Sequence, residues 1–325
     1  MNIVCIGGGL AGLYFSLLMK QANPSHDITV VERNKAYDTF GWDVVFPDAT
    51  MNNMRVWDPI SAGEIEQAFN HWDDMELGFK GEVIRSGDHG FVGIGRKKLL
   101  NILLCRCERL DVKLVFEVGA ESDTQYPDAD LIIASDGINS RIRTQNAEVF
   151  KPDIVVRPNR FIWLGTRKLY GAFTFLFEKT EHGWFQAHIY KYDKETTTFI
   201  VECPEHVWLA HGRDTADQEQ SIAFCEKLFF DNLQGAKLMT NARFLRGSAW
   251  LNFQRVKCDQ WSLLNGRSHV VRPPTYPPCW PVTRHCATST CCACKMRHGM
   301  PWSRLKCVES GTATSWMVCS SCTPC

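Results

Sequence analysis

The sequence has no excess of charge: Lys plus Arg and Asp plus Glu number 36 each in 325 residues. That argues against a protein that binds nucleic acid through overall basicity. It has no apolar run of the roughly 18 residues a membrane-spanning helix requires, so no membrane partner is expected. It has no basic segment ahead of its first apolar stretch, and that stretch carries a glycine pattern, so the amino terminus is read as folded protein rather than a leader and the setting as cytoplasmic. Cysteine is sparse over most of the chain, since nine of the fifteen fall between Cys279 and Cys325. The other six, Cys5, Cys105, Cys107, Cys203, Cys225 and Cys258, sit in apolar segments, as free thiols do in a reducing compartment. An apolar share of 45% and a charged share of 22% are those of a folded globular chain, long enough for two domains. No feature sets the oligomeric state.

Residues 2–6 (NIVCI) form a short apolar run ending in Gly7-Gly8-Gly9. LAGLYFSLLMKQAN follows, with Leu10, Leu13, Leu17 and Leu18 at helical spacing. Residues 27–32 (DITVVE) read as a second buried strand, completing a βαβ unit whose crossover implies parallel pairing. A helical stripe at 97–109, a strand at 113–118 and the buried strand ADLIIASDG (129–137) belong with that unit. Between 160 and 203 the pattern changes to β-branched and aromatic segments separated by turn signals at roughly ten-residue spacing, which predicts an antiparallel sheet. Thr215 and Gln218 form a capping-box pattern ahead of an amphipathic helix carrying Ile222, Cys225, Leu228 and Phe229. The expected fold is α/β: a Rossmann-like domain interleaved with an antiparallel β-sheet domain of α+β character. Its boundaries are 1–150 for the first, 151–255 for the second, and 256–271 for a return to the first through the strand SHVV.

The composition breaks at Arg272-Pro273-Pro274. The last 54 residues hold seven of the fourteen prolines and three tryptophans, but only one leucine, one acid and no isoleucine or phenylalanine. A shift of reading frame near codon 271 accounts for the position, the Cys, Pro and Trp excess and the lost periodicity together. A zinc module built on Cys291-x-x-Cys294 and Cys319-x-x-Cys322-x-x-Cys325 is the competing explanation. No metal ligand is assigned elsewhere.

Three elements carry chemistry. Gly7-x-Gly9-x-x-Gly12 has the dinucleotide spacing: a tight turn, a close approach for pyrophosphate, and close packing of helix on strand. A glycine string alone is often only a turn, but here strand, helix, second strand and the terminal acid Glu32 are all in place. Asp136-Gly137-x-x-Ser140-x-x-Arg143 follows a buried strand, placing the acid at a carboxyl end where such sheets bind ligands. Arg96 closes GIGR and opens a helix, where its planar fork can reach phosphate or flavin oxygens or simply be solvated. His188 in WFQAHIYKY is the one catalytic candidate, although a lone histidine on a sheet is more often structural.

Together, GxGxxG, the GxGR-K-x-L helix and DGxxSxxR resemble the class A FAD-dependent aromatic monooxygenases. The resemblance covers residues 1–271. Stretches such as VVERNKAYDTFGW, IRSGDHGFVGIGRKKLLNIL and TEHGWFQAHIYKYD are similar to the amino-terminal part of the members acting on salicylyl-CoA and anthraniloyl-CoA. The resemblance implies that Gly7, Gly9, Gly12, Glu32 and Arg33 hold the ADP half of FAD, and that Arg96, Asp136 and Gly137 contact the rest. It also implies NAD(P)H as co-substrate and transfer of one oxygen atom of O₂ to an aromatic substrate, in particular an aryl-CoA thioester. Two departures stand out. The family's Gly-Asp turn after the strand at 268–271 has no counterpart, and its usual Gly-Trp-Gly reads Gly41-Trp42-Asp43. Other answers stay open on the residues alone: a hydroxylase of indole or tryptophan derivatives, a NAD(P)-dependent Rossmann dehydrogenase, or a non-catalytic metal-binding protein.

Overall fold

A computed structural model describes residues 1–38, 42–240, 249–265, 268–271 and 293–296. Asn2–Ile6 is central in a parallel sheet, with Leu131–Ala134 on one side and Asp27–Val31, then Lys113–Val115, on the other. Past their first residues these strands are almost wholly apolar because both faces are covered. Ile3 and Cys5 point to the helices Leu10–Ala22 and Arg96–Arg109, packing with Leu13, Leu17, Leu103 and Leu104. Val4 and Ile6 point the other way, towards Ile142 and Phe150. Leu17 is fully buried, so truncating it to alanine is expected to cost about 2–5 kcal/mol. The first helix ends at Asn23, whose N–H still donates to the Met19 carbonyl; Pro24 cannot continue the ladder.

The second sheet runs Leu238–Met239, Pro152–Thr166, Thr197–Cys203, Gly183–Lys191, Phe173–Thr180, Met75–Phe79, Glu82–Ser86, with Leu251–Cys258 also pairing to Pro152–Thr166. Its pairings are antiparallel except that Phe173–Thr180 meets Met75–Phe79 in parallel. Side chains alternate across it. Ile162, Leu164, Phe185, Ala187, Ile189, Phe199 and Val201 face the helices Glu205–Ala210, Gln218–Leu228 and Phe230–Leu233. Phe161, Trp163, Phe173, Phe175, Tyr190 and Ile200 face the other way, towards Val45, Trp72 and Phe91. Those three belong to a small sheet of Asp43–Pro47, Phe91–Gly95 and Asn70–Trp72. The fold is thus mixed α/β with one parallel and one largely antiparallel sheet.

Several details differ from the sequence reading. The helix near 218 is capped by Asp217, not Thr215: the Asp217 carboxylate accepts from Gln220 N at 2.8 Å and Gln220 Oε1 accepts from Asp217 N. Aspartate is an equally strong cap, and its glutamine stands at the correct offset. The strand expected at 113–118 stops at Val115, and Glu117 takes a left-handed φ of 59°. The hairpin Met75–Ser86 lies within the stretch expected for the first domain yet extends the antiparallel sheet.

Ser268–Val271 lies parallel to the strand Leu131–Ala134. Ala293–Met296, in the tail where no element is expected, runs antiparallel to both, because an open sheet edge pairs through backbone groups whatever the side chains. The other tail residues, Gly41, and every cysteine of the zinc spacings except Cys294 lie outside the described residues. Among the described residues no helix is long and apolar enough to cross a membrane. The six cysteines before the tail carry free thiols, and burial pushes Cys5 and Cys107 up to about 12.

Candidate functional site

The glycine turn is built by contacts that leave no room for side chains. Gly7 has φ +107°, and a Cβ there would lie 2.3 Å from the Ser135 carbonyl oxygen. A Cβ on Gly12 would lie 2.1 Å from the Gly7 oxygen and 2.5 Å from Ser135 Oγ. Both glycines therefore serve packing. Gly9 differs: its Cβ would meet no protein atom within 4 Å. Gly9 is also the N-cap of Leu10–Ala22, with no side-chain cap and no acid in the first turn. The helix thus presents its first N–H groups and positive dipole end to open space, a cradle suited to a pyrophosphate.

Two carboxylates flank this cradle. Glu32 Oε2 accepts from Gly8 N at 2.8 Å, and Oε1 accepts from Asn34 N and Nδ2 at 2.9 and 2.7 Å. Oε2 retains a lone pair for a hydroxyl donor, whereas both of Oε1 are engaged by Asn34. Arg33 is exposed beside it. Asp136 Oδ2 accepts from Arg141 N at 2.8 Å, whereas its Oδ1 is buried without a partner. Gly137, with φ +92°, lets the loop turn away directly afterwards. An orphaned acceptor costs about 1–3 kcal/mol unless something donates to it, so Asp136 fits a hydroxyl-bearing ligand. The structure gathers Gly7, Gly9, Gly12, Glu32, Asp136 and Gly137 at the carboxyl ends of three parallel strands. Sequence reasoning missed Ser135, whose hydroxyl donates to the Ile6 and Gly7 carbonyls at 3.0 and 2.8 Å and ties two strand ends together. Its signal was a small residue just before Asp-Gly. Arg143 is 4% exposed and folds back to donate to the Ile138 carbonyl at 2.7 Å, bracing the same loop.

Arg96 opens the helix Arg96–Arg109, and its N–H donates to the Trp42 carbonyl at 3.0 Å. Asp43, opposite Gly95 in register, is buried and accepts from Thr198 Oγ1 at 2.6 Å. Burial pushes its carboxyl up to about 7, opposed by hydrogen bonds from Thr198 and Tyr190 and by the Arg96 charge. The family's glycine position thus holds a carboxyl that links the small sheet to the antiparallel one. Beside it a cavity of about 430 Å³ is lined by Trp42, Lys97, Lys98, Asn101, Tyr192 and Asp193, among others.

His188 stands apart from the glycine turn. It lies on the inner face of the antiparallel sheet, in ring contact with Phe175 at 4.9 Å, and burial pushes it down to about 4. It is neutral at neutral pH. Its surroundings are the aromatic wall described above.

The homologues of the chain are aryl monooxygenases, so the resemblance drawn from its sequence holds. It is 35% identical over 283 residues to salicyloyl-CoA 5-hydroxylase from a Streptomyces species, covering 83% of this chain and 54% of that protein. It is 29% identical over 265 residues to the 3-hydroxy-4-methyl-anthranilyl-(aryl-carrier protein) 5-monooxygenase of Streptosporangium sibiricum, covering 82% of this chain and 70% of the other. The chain therefore spans about half the length of the first of these relatives. No protein-family model matches it. Among solved structures it is similar in fold to 2-methyl-3-hydroxypyridine-5-carboxylic acid oxygenase, with a TM-score of 0.66 at 16% identity over 80% of this chain and 72% of that one. It is also similar to a probable FAD-dependent monooxygenase from Pseudomonas aeruginosa, with a TM-score of 0.51 at 15% identity over 66% and 62% of the two chains.

Proposed function

We propose that this chain is a class A flavoprotein monooxygenase that hydroxylates an aromatic acyl thioester, an aryl-CoA, with NAD(P)H and O₂. The observation that carries the proposal is the open cradle at Gly9 beside the unpartnered Asp136 Oδ1, in a homologue of aryl monooxygenases. Such a site suits an extended dinucleotide with a hydroxyl-bearing arm.

FAD, when bound, would supply the redox chemistry, two-electron exchange with a nicotinamide and activation of O₂. The chain's residues bind and orient. The N–H groups at Gly9 and the helix start hold the pyrophosphate; Glu32 accepts from the adenosine ribose, with Arg33 beside it. Asp136 accepts from the ribityl chain next to Gly137, and the Arg96 fork pairs with flavin or phosphate oxygens. The FAD-binding part lies within 1–150 and 256–271, apart from the hairpin Met75–Ser86 and the end of Leu251–Cys258, which extend the antiparallel sheet, and it interleaves with a substrate part at 151–255. The aromatic wall of the antiparallel sheet holds the ring away from water. Lys97 and Lys98 offer ammonium groups, and Trp42 and Tyr192 offer rings, around one cavity, a combination that suits the phosphates and adenine of CoA.

The test is titration of the purified chain with FAD, followed by flavin fluorescence. Binding is expected to be weak, because the Gly-Asp turn of the family has no counterpart here and each missing hydrogen bond to phosphate or ribityl is worth about 1.5–3 kcal/mol. Absence of any FAD binding overturns the proposal. NAD(P)H oxidation stimulated by salicyloyl-CoA, and not by free salicylate or tryptophan, is the matching result for substrate class.

A further inference from the structure

A second cavity, of about 530 Å³, lies away from the glycine cradle and takes no part in the flavoprotein reading. It is lined by Lys20, Gln21, Asp58, Ile60, Arg106 and Arg109, among others. These residues come from the last turn of Leu10–Ala22, the start of the helix Pro59–Glu66 and the last turn of Arg96–Arg109. At 1.5 Å per residue Leu10–Ala22 is about 20 Å long, so a ligand here stands a helix length from Gly9.

The walls hold polar groups that the fold leaves unmatched. Asp58 is fully buried. Its Oδ1 accepts from Gln21 Nε2 at 2.8 Å and from Arg106 Nε at 3.2 Å, which ties three helix ends together. Its Oδ2 is buried without a donor. Arg106 is engaged through Nε, and among the described residues its Nη groups have no acceptor. Asp58 is also the N-cap of Pro59–Glu66, yet its side chain does not cap that helix. Pro59 brings no N–H, and the N–H groups of Ile60 and Ser61 have no acceptor among the described residues. Lys20 donates to the His26 carbonyl, which leaves its ammonium two further protons. A structural clamp explains Oδ1 and Nε. It does not explain a guanidinium fork and a bare helix start around one cavity, beside an acceptor without a donor, since buried polar groups are normally paired.

We propose that this cavity binds a phosphate monoester that carries a free hydroxyl close to its phosphate. The phosphate oxygens accept from the Arg106 fork, the Lys20 ammonium and the N–H groups that open Pro59–Glu66. The hydroxyl donates to Asp58 Oδ2. Lys20, Arg106 and Arg109 outnumber Asp58 and Asp111 in the lining, so an anion meets a net positive wall. Two sources share this chemistry: a free polyol or sugar phosphate, and the phosphorylated ribose of a nucleotide. The site is separate from the glycine cradle and does not depend on the flavoprotein reading.

The experiment is calorimetric titration of the purified chain, with FAD present to fill the cradle, using glycerol phosphate, propyl phosphate and coenzyme A. Glycerol phosphate is expected to bind roughly 10- to 100-fold more tightly than propyl phosphate, the range for a hydrogen bond to a charged acceptor. Asp58→Asn is expected to erase that preference. Ile60→Glu places a carboxylate in the first turn of Pro59–Glu66, at a position that is 48% exposed and where the helix dipole favours it. It should therefore fold, keep its FAD affinity and lose tenfold or more in affinity for both esters. Should Asp58→Asn fail to fold, Ile60→Glu still decides. Coenzyme A affinity that falls with Ile60→Glu names a nucleotide as the source; affinity that does not fall, beside glycerol phosphate affinity that does, names the polyol phosphate. No binding of either ester, equal binding of the two, or binding that survives Ile60→Glu unchanged overturns the proposal. FAD titration decides the flavoprotein reading separately.

Discussion

The carboxyl edge of the parallel sheet and the inner face of the antiparallel sheet are built on opposite principles. The first is made of backbone: glycines that admit close approach, a helix start without a cap, and two carboxylates at fixed distances along the chain. The second is made of side chains that meet only through register, with Glu202 and Gln186 opposite each other although sixteen positions apart. A site made of backbone tolerates no added atom. One made of side chains tolerates changes of shape but not of polarity.

Substitutions in the glycine turn give the largest expected effect. Gly12→Ala places a methyl 2.1 Å from a backbone oxygen, and a loss of ~3 kcal/mol or more in stability is expected, read as a lower midpoint in denaturant. Gly9→Ala sharpens the contrast. Its methyl meets no protein atom, so stability should change by only about 1 kcal/mol, while FAD affinity drops tenfold or more. Equal losses in both properties at Gly9 would mean the cradle is only a packing feature.

Asp43 joins the two regions through Thr198 and gives the next effect. Its ordinary value of 3.8 is raised to about 7 in the fold. The folded state therefore holds this proton more tightly than the unfolded chain does. The resulting stabilisation is complete below about pH 3.8 and is lost as pH rises through 7. Asp43→Asn should remove that decline, making the variant more stable relative to wild type at pH 8 than at pH 5 by on the order of 1–3 kcal/mol. Urea midpoints at the two pH values measure it; identical differences at both would show Asp43 to be ionised throughout. The smallest effect belongs to Arg33→Ala. Because Arg33 is exposed, FAD affinity should change less than about threefold, and less still at high salt.

The contrast between the regions also explains what could be read without a structure. Gly7, Gly9, Gly12, Glu32, Asp136 and Gly137 fall at short, fixed offsets from buried strands, so local spacing exposes them. The four aromatic strands between 152 and 203 show themselves by composition, and the sheet follows. The facing of Glu202 and Gln186 does not, because TTFIVEC reads as a buried run and nothing within it says which residue lies opposite Gln186. Ser135 hides as the last residue of an apolar strand. The hairpin at 75–86 was illegible for another reason: its partner, Phe173–Thr180, lies about a hundred residues on, and MELGF carries no mark of that pairing.

That hairpin also limits how the molecule can be divided. Met75–Phe79 covers the flank of Phe173–Thr180, and on that strand Phe173, Phe175 and Phe177 alternate on one side. A fragment beginning near residue 151 would leave this strand as a bare, phenylalanine-lined edge, the geometry that recruits other chains into intermolecular sheets. Truncation for separate expression should therefore yield aggregates rather than a soluble half, and a workable dissection would need residues 75–86 supplied in trans or grafted ahead of Phe173.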